Sequence, residues 1–222
     1  MKSAQFLLII VLFITASCEN KSVKLPTLGI TGIQETIYDN SKVWIFFKVE
    51  NNDTIAELNK NNSVANTHWI FNIDKRLSLK HVIPKIQQLQ LKKAKPSMHD
   101  NGKLMHSYYT YVDTVANKLS LVLFDSVKYI NDNQLKLAQI SKDSLFDHLI
   151  INYNKKGVYV DGHKVEMSNL KSQLEKSLNK TNLKIHLSFD KDLSFQNYIH
   201  LKALLFNTEN DSIIIAKQEF IN

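Results

Sequence analysis

The sequence predicts an α+β protein built of two small modules, each an antiparallel or mixed sheet with one or two helices packed on one face. Two observations carry this prediction. Short apolar runs typical of strands alternate with segments whose apolar residues recur at helical spacing. In addition, the pattern IDKRLSLKHVIPKIQQL, which starts at Ile73, returns in related form as FDKDLSFQNYIHLKAL at Phe189, 116 residues further along the chain.

The first residues predict export and a lipid anchor. Lys2 precedes the apolar run Phe6–Thr15, which is too short to span a bilayer, so residues 1–17 are predicted to be a signal peptide. Cys18 follows two small residues, which resembles a bacterial lipobox; an ordinary signal peptide with an incidental cysteine is the alternative. An acylated Cys18 would anchor the exported chain to the inner or outer membrane, facing the periplasm or the cell surface. Residues 18–42 are predicted to be a tether.

Composition and motifs argue against several classes of function. The formal charge of +7 falls to +6 when Lys2 leaves, but the basic residues are scattered lysines, so we expect no nucleic-acid partner. Nucleotide-binding glycine loops and metal-binding histidine spacings do not occur in the sequence, so no cofactor and no metal are predicted. His99, Asp100 and His106 fall in a predicted loop, the one place where a weak metal or acid–base site is considered.

The second half, 129–222, is predicted to be one complete module. Asp161 and Gly162 form a dipeptide that favours a tight turn between two strands. Serines precede both segments of helical spacing and are predicted to cap them. The predicted strands are Leu149–Tyr153, Val158–Val160, Leu183–Phe189 and Ser212–Ala216, and the helices begin at Ser168 and Ser194.

The first half, 43–128, is predicted to be a degenerate copy of that module. The segment between Leu58 and His68 is too short to hold the first helix, and 92–118 is predicted to be a polar, tyrosine-containing insertion. The predicted strands are Val43–Val49, Thr54–Leu58, His68–Ile73 and Leu119–Phe124, the last of which is matched to the closing strand of the second half.

Four positions mark the repeat: Asp74 and Asp190 at the end of a strand, and Ser78 and Ser194 at the start of a helix. Five of the eighteen residues in 69–86 agree with 185–202, and the matching strands before and after favour duplication over coincidence. Each aspartate is either a binding carboxylate or a turn residue that accepts backbone N–H bonds, and we favour the turn.

Tyr108, Tyr109 and Tyr111 are candidate partner-binding residues. If they lie on an exposed loop, their rings offer good binding chemistry. Alternatively, they cover the sheet where the first helix is missing. The sequence does not separate these two interpretations.

The residues from Leu149 to Phe220 resemble the periplasmic domain of the ExbD/TolR biopolymer-transport family. The resemblance covers about seventy residues well. It extends to the first half of the chain only because that half resembles the second through the internal repeat. It concerns residues that determine a fold rather than a reaction. The positions that carry it are Val158, Gly162, Lys164, Val165, Leu170, Asp190, Lys191, Leu193 and Phe195.

This resemblance implies a role without proton conduction, because the family's proton-taking acidic transmembrane helix has no counterpart in the short run Phe6–Thr15. We expect a non-enzymatic, lipid-anchored envelope protein that contacts the membrane and an envelope protein or peptidoglycan. Family domains usually act in pairs, so two modules in one chain imply an intramolecular pseudo-dimer. An exported hydrolase or metal-dependent enzyme with an unrecognised site is the alternative.

Overall fold

Two β-sheets and three helices make up the part of the chain that the structure, a computed structural model, describes. The described residues are 21–59, 63–64, 66–94, 104–125, 127–131, 145–177 and 182–222. The predicted signal peptide, Cys18, His99 and Asp100 lie outside them. The strands are β1 Thr27–Leu28, β2 Asn40–Glu50, β3 Asp53–Leu58, β4 His68–Ile73, β5 Ser107–Asp113, β6 Lys118–Leu123, β7 Lys128–Ile130, β8 Phe146–Asn154, β9 Gly157–Val160, β10 His163–Val165, β11 Asn182–Phe189 and β12 Ile213–Ile221. The helices are α1 Leu79–Lys93, α2 Met167–Lys176 and α3 Phe195–Phe206.

The two modules share one sheet topology. The first module (β1–β6 with α1) has the strand order β1-β5-β4-β2-β3, and the second (β7–β12 with α2 and α3) has β7-β12-β11-β8-β9. At each equivalent position the direction agrees: the first three pairings are parallel and the fourth is antiparallel. Strand β6 adds to β5 and β10 adds to β9. The mixed α+β class and the two-module organisation are therefore as the sequence predicts.

Local chemistry explains the tight hairpins. Asn51 and Asn52, with φ of 51° and 64°, join β2 to β3, and asparagine tolerates this left-handed backbone better than most residues. Asp161 and Gly162, with φ of 47° and 84°, make the predicted turn between β9 and β10. Both hairpins thus use two-residue turns whose twist matches that of the strands.

The crossovers from β4 to β5 and from β11 to β12 each place a helix on the core side of the sheet. Helix α1 follows β4 and α3 follows β11, and both bury their apolar residues at helical spacing, including Val82 and Ile86 in α1. Ser194 caps α3 by accepting a bond from the Asn197 N–H at 3.3 Å. Helix α2 begins at Met167, one residue before the predicted cap Ser168. Among the described residues, no helix combines the length and the apolar composition that a membrane span needs.

The repeated pattern forms the seam between the modules. Ser78 and Ser194 pair in an isolated antiparallel bridge at the two helix starts. The backbone bonds around them come in matched pairs, as expected for a two-fold axis that relates the modules approximately. These pairs are Leu79 N to Leu193 O (3.0 Å) with Phe195 N to Leu77 O (2.7 Å), and Lys80 N to Lys191 O (2.7 Å) with Gln196 N to Lys75 O (3.2 Å).

The predicted insertion 92–118 is partly wrong, because Ser107–Asp113 within it is strand β5. This strand pairs in parallel with β4, so β5, and not the predicted 119–124, is the counterpart of the closing strand β12. The segment near 119–124 is β6, which folds back on β5 as a hairpin. The local sequence pattern could not show whether β5 or β6 is the closing strand. That choice depends on which of the two strands pairs with β4 after the helix.

The predicted tether 18–42 is also largely part of the folded body. Thr27 and Leu28 form an edge strand along β5, Ile33 bridges to Leu121, and β2 already begins at Asn40. A two-residue strand has no sequence pattern of its own, because it is defined only by its hydrogen bonds to the neighbouring strand. Only the few residues before Lys21 remain as a possible connection to the predicted anchor.

Candidate functional site

The first sheet has one face turned away from the core, which we call the outer face. Along β2 the side chains alternate: Val43 and Ile45 are buried on the core side, whereas Trp44 and Phe46 are partly exposed on the outer face. The rings of Trp44 and Phe46 stack at 6.3 Å between centroids with an interplanar angle of 13°. The outer face is therefore aromatic at its centre.

A cavity of about 250 Å³, the outer groove, lies on this face. Its floor is a row of side chains across neighbouring strands: Trp44 pairs with Asn72, and Thr110 pairs with Leu121. The register of β4 with β5 aligns Asn72 with Thr110 at the middle of the row. An amide and a hydroxyl thus lie between an indole and an aliphatic side chain.

Thr110 is the most informative residue of the floor. It is 2 % exposed, and no donor or acceptor among the described residues reaches its hydroxyl. A buried hydroxyl without a partner costs stability, so such groups are uncommon unless a ligand or water completes them. The neighbouring Asn72 amide donates to the Ile70 carbonyl at a long 3.4 Å. Within the described residues, the floor therefore holds one hydroxyl without a partner and one amide with a long hydrogen bond.

The wall of the outer groove comes from the segment before β2. Leu25, Ile33 and Ile37 form an apolar side, and Glu35 and Lys42 bring one charge of each sign to the rim. Most of the lining is apolar with a few polar groups, the usual composition of a ligand site. The arrangement can bind and orient a ligand, and its lining contains no nucleophile paired with a base.

The three candidate tyrosines do not form a binding loop. Tyr109 and Tyr111 are fully buried in β5, and Tyr108 is 7 % exposed, so the expectation of exposed rings is wrong. Nor do they cover the sheet from an insertion, because all three belong to strand β5 of the sheet itself. Burial raises the pKa of Tyr111 to about 12.

Tyr109 instead joins a buried polar network at the seam. Its hydroxyl lies 2.5 Å from that of Tyr129, which lies 3.2 Å from that of Tyr198. Tyr198 donates to the Glu219 carboxylate at 2.7 Å, and the Lys202 ammonium donates to the same carboxylate at 2.5 Å. Burial raises the pKa of Tyr109 and of Tyr198 well above the ordinary value. The network links β5 of the first module to the second.

The two repeat aspartates both accept backbone bonds in turns. Asp190 accepts from the Asp192 N–H at 2.8 Å, and Asp74 accepts from the Arg76 N–H at 3.0 Å and the Lys24 N–H at 3.0 Å. Burial alone would raise the pKa of Asp74, but bonds from Arg76 and Lys24 outweigh it and lower the pKa. Of the repeat serines, Ser194 caps its helix, whereas the Ser78 hydroxyl bonds to His81 Nδ1.

A histidine cluster lies where β4 and β5 begin. His106 Nδ1 contacts an Asp125 carboxylate oxygen, and the other oxygen accepts from the Ser107 N–H at 2.7 Å. The ring of His68 stacks on His106 at 5.6 Å, and burial lowers the pKa of His68. Lys93 donates to the Ser107 hydroxyl at 3.0 Å and to two nearby carbonyls. Within the described residues, no three His, Cys, Asp or Glu side chains are placed to hold a metal ion.

Sequence reasoning missed the residues of the outer groove. Trp44 and Thr110 belong to strands, and only their outward orientation makes them part of a site. The alternation of Lys42, Trp44 and Phe46 with the buried Val43 and Ile45 was a usable signal, because neighbouring aromatic side chains at solvent-facing strand positions form an exposed apolar patch.

Comparisons with known proteins neither support nor contradict the resemblance to the ExbD/TolR family. No family model, no curated protein and no solved structure matches the chain.

Proposed function

We propose that this chain is a lipid-anchored protein of the cell envelope that acts as a non-enzymatic binding module without proton-conducting activity. The observation that carries the proposal is the outer groove, whose floor holds Trp44 and the Thr110 hydroxyl, which has no partner within the described part of the chain. Export and the anchor at Cys18 rest on the sequence pattern. The relation to the soluble domains of ExbD and TolR rests on the resembling residues, and the duplicated topology is compatible with it.

The groove is better suited to binding than to chemistry. Its aliphatic and aromatic lining favours an apolar or amphipathic ligand, and Asn72 and Thr110 provide hydrogen bonds that fix its orientation. An envelope protein segment and a peptidoglycan strand both offer such chemistry. The two modules meet through matched contacts, so the chain itself supplies the pair that family domains usually form from two copies.

Site-specific photo-crosslinking in cells tests the binding role. We place benzoylphenylalanine at Lys42, an exposed residue of the groove rim, and at Lys171, an exposed residue of α2, as the control. We expect an adduct with an envelope component at position 42 only, and a loss of that adduct in Thr110→Val. Identical adducts at both positions, or none at position 42, would contradict a binding role of the groove.

Metabolic labelling with palmitate tests the anchor separately. The chain is expected to take up label, and Cys18→Ala is expected to abolish it. An unlabelled chain with a cleaved leader would instead support the ordinary signal peptide.

The alternative function is an exported hydrolase or metal-dependent enzyme, and the pair of His106 and Asp125 is the observation that favours it. A histidine oriented by a carboxylate is the arrangement of a general base. The nearby Ser107 hydroxyl, however, accepts a bond from Lys93. Hydrolysis of p-nitrophenyl esters that disappears in His106→Gln, but persists when the exposed His163 is replaced in the same way, would favour the enzyme.

A further inference from the structure

Strand β2 presents a stripe of two aromatic side chains flanked by two lysines on the outer face. In chain order the stripe is Lys42, Trp44, Phe46 and Lys48, with both lysines exposed and the two rings stacked between them. Tryptophan and lysine side chains are well suited to a membrane–water interface, because each combines an apolar body with a polar end.

The second module shows that the fold does not require this stripe. Trp69 in β4 and Ile185 in β11 are equivalent positions of the repeat, and their cross-strand partners are Ser41 and Leu149. Counting along β2 and β8 from these partners makes Trp44 equivalent to Asn152, and Phe46 to Asn154. The same strand therefore carries amides in one module and aromatic rings in the other. The fold shared by the two modules therefore does not account for the aromatic rings of β2.

The start of the described chain lies on the same face. Lys21 forms an ion pair with Glu57, and Glu57 is the cross-strand partner of Phe46 on β3. The hydrogen bond from Lys21 lowers the pKa of Glu57 and so favours its carboxylate form. Cys18 precedes Lys21 by three residues, which span at most about 11 Å even when extended. An acylated Cys18 would therefore hold this face close to the bilayer.

We propose that the outer face of the first sheet docks on the bilayer that the acyl chains of Cys18 enter. This inference rests on the lipid anchor of the proposed function and names the partner of the same face. Trp44 and Phe46 enter the interfacial layer, and the outer groove opens toward the lipid headgroups. Leu119, a 57 % exposed residue of the groove lining, adds apolar surface to the contact.

Aromatic and apolar burial, rather than net charge, drives this docking. Two of the basic groups on the face are already paired, Lys21 with Glu57 and Lys48 with Glu50 at 3.4 Å, and the groove lining contains both Glu35 and Lys42. The local charge is thus close to balanced. We therefore expect docking on zwitterionic lipid to be as extensive as on anionic lipid, unlike that of a polybasic patch.

Fluorescence quenching by brominated lipid tests the proposal on the lipidated full-length mature chain in phosphatidylcholine vesicles. The chain has 2 tryptophans, and Trp69 is 1 % exposed in the core, so that quenching reports on Trp44. We expect lipids brominated near the headgroup end of the acyl chain to quench the emission, and Trp44→Phe to remove the effect. Replacing phosphatidylcholine in part by phosphatidylglycerol is expected to leave the quenching unchanged.

A matched control moves the reporter to the second module. Asn152→Trp in the Trp44→Phe background places an indole at the equivalent position and is expected to resist quenching. Vesicle flotation separates the possible failures. If the chain floats with the vesicles and Trp44 is not quenched, the docking is refuted while the anchor stands. If the chain does not float and behaves like Cys18→Ala, the anchor of the proposed function fails, and the docking fails with it.

Discussion

Ser78 and Ser194 pair with each other across the seam between the modules, 116 residues apart in the chain. Each lies at the start of a helix, and the backbone bonds on both sides of the pair are exchanged reciprocally. Reciprocal contacts are the property of an interface between two copies related by a two-fold axis. In this chain two modules of the same sheet topology occupy the places of the two copies.

Because the seam is closed within one chain, we expect the chain without its lipid to be a monomer. The pairing surface at Ser78 and Ser194 is already occupied and offers no free counterpart to a second copy. Sedimentation velocity on the delipidated chain over a wide concentration range measures this. A stable dimer would show that some other surface mediates association.

Replacing Thr110 by valine should stabilise the ligand-free protein while impairing the groove. Valine keeps the shape and removes a buried hydroxyl that has no partner among the described residues, so we expect the free energy of unfolding to rise by about 1 kcal/mol. Urea unfolding measures it. Thr114→Val is the control, because that hydroxyl donates to the Leu28 carbonyl at 3.1 Å and its loss should destabilise. A destabilising Thr110→Val would mean that the hydroxyl is satisfied in solution.

Breaking the buried ion pair should be costly from either side. Glu219 is fully buried, and Lys202 is 8 % exposed, so Glu219→Gln leaves an ammonium without its counter-charge. We expect this change to lower the free energy of unfolding by about 3–5 kcal/mol. The double variant Glu219→Gln with Lys202→Met removes both charges and should recover a large part of that loss. Additive effects in the double-mutant cycle would contradict the coupling.

Acid should destabilise the protein partly through His186. This ring bonds to His148 at 2.9 Å and lies near Lys184; burial, followed by these neighbours, lowers the pKa of His186 to about 4. The unfolded chain therefore binds a proton that the folded chain does not, and stability falls as the pH drops from about 6.5 to about 4. The loss reaches about 3 kcal/mol at the acid end.

Comparing pH profiles of unfolding isolates this contribution. His186→Gln should flatten the profile between these pH values, whereas the same change at the exposed His163 should leave it as in the parent protein. A profile that keeps its full slope in His186→Gln would assign the acid sensitivity to other groups.

The amino-acid sequence by itself determined the elements whose evidence is local. Strands β4 and β11 follow from apolar runs that end at Asp74 and Asp190, and helices α1 and α3 follow from apolar spacing after Ser78 and Ser194. The Asp161–Gly162 turn follows from backbone preference alone. These features depend only on residues a few positions apart, so the local sequence is sufficient to determine them.

Only the tertiary structure decided which strand closes the first module and which residues form a site. Ser107–Asp113 has aromatic residues without clear alternation, and it becomes a central strand because the crossover after α1 brings it beside β4. The outer groove joins Trp44, Asn72 and Thr110 with the segment around Ile33. No local pattern brings these parts together, since strand pairing across long loops determines which side chains become neighbours.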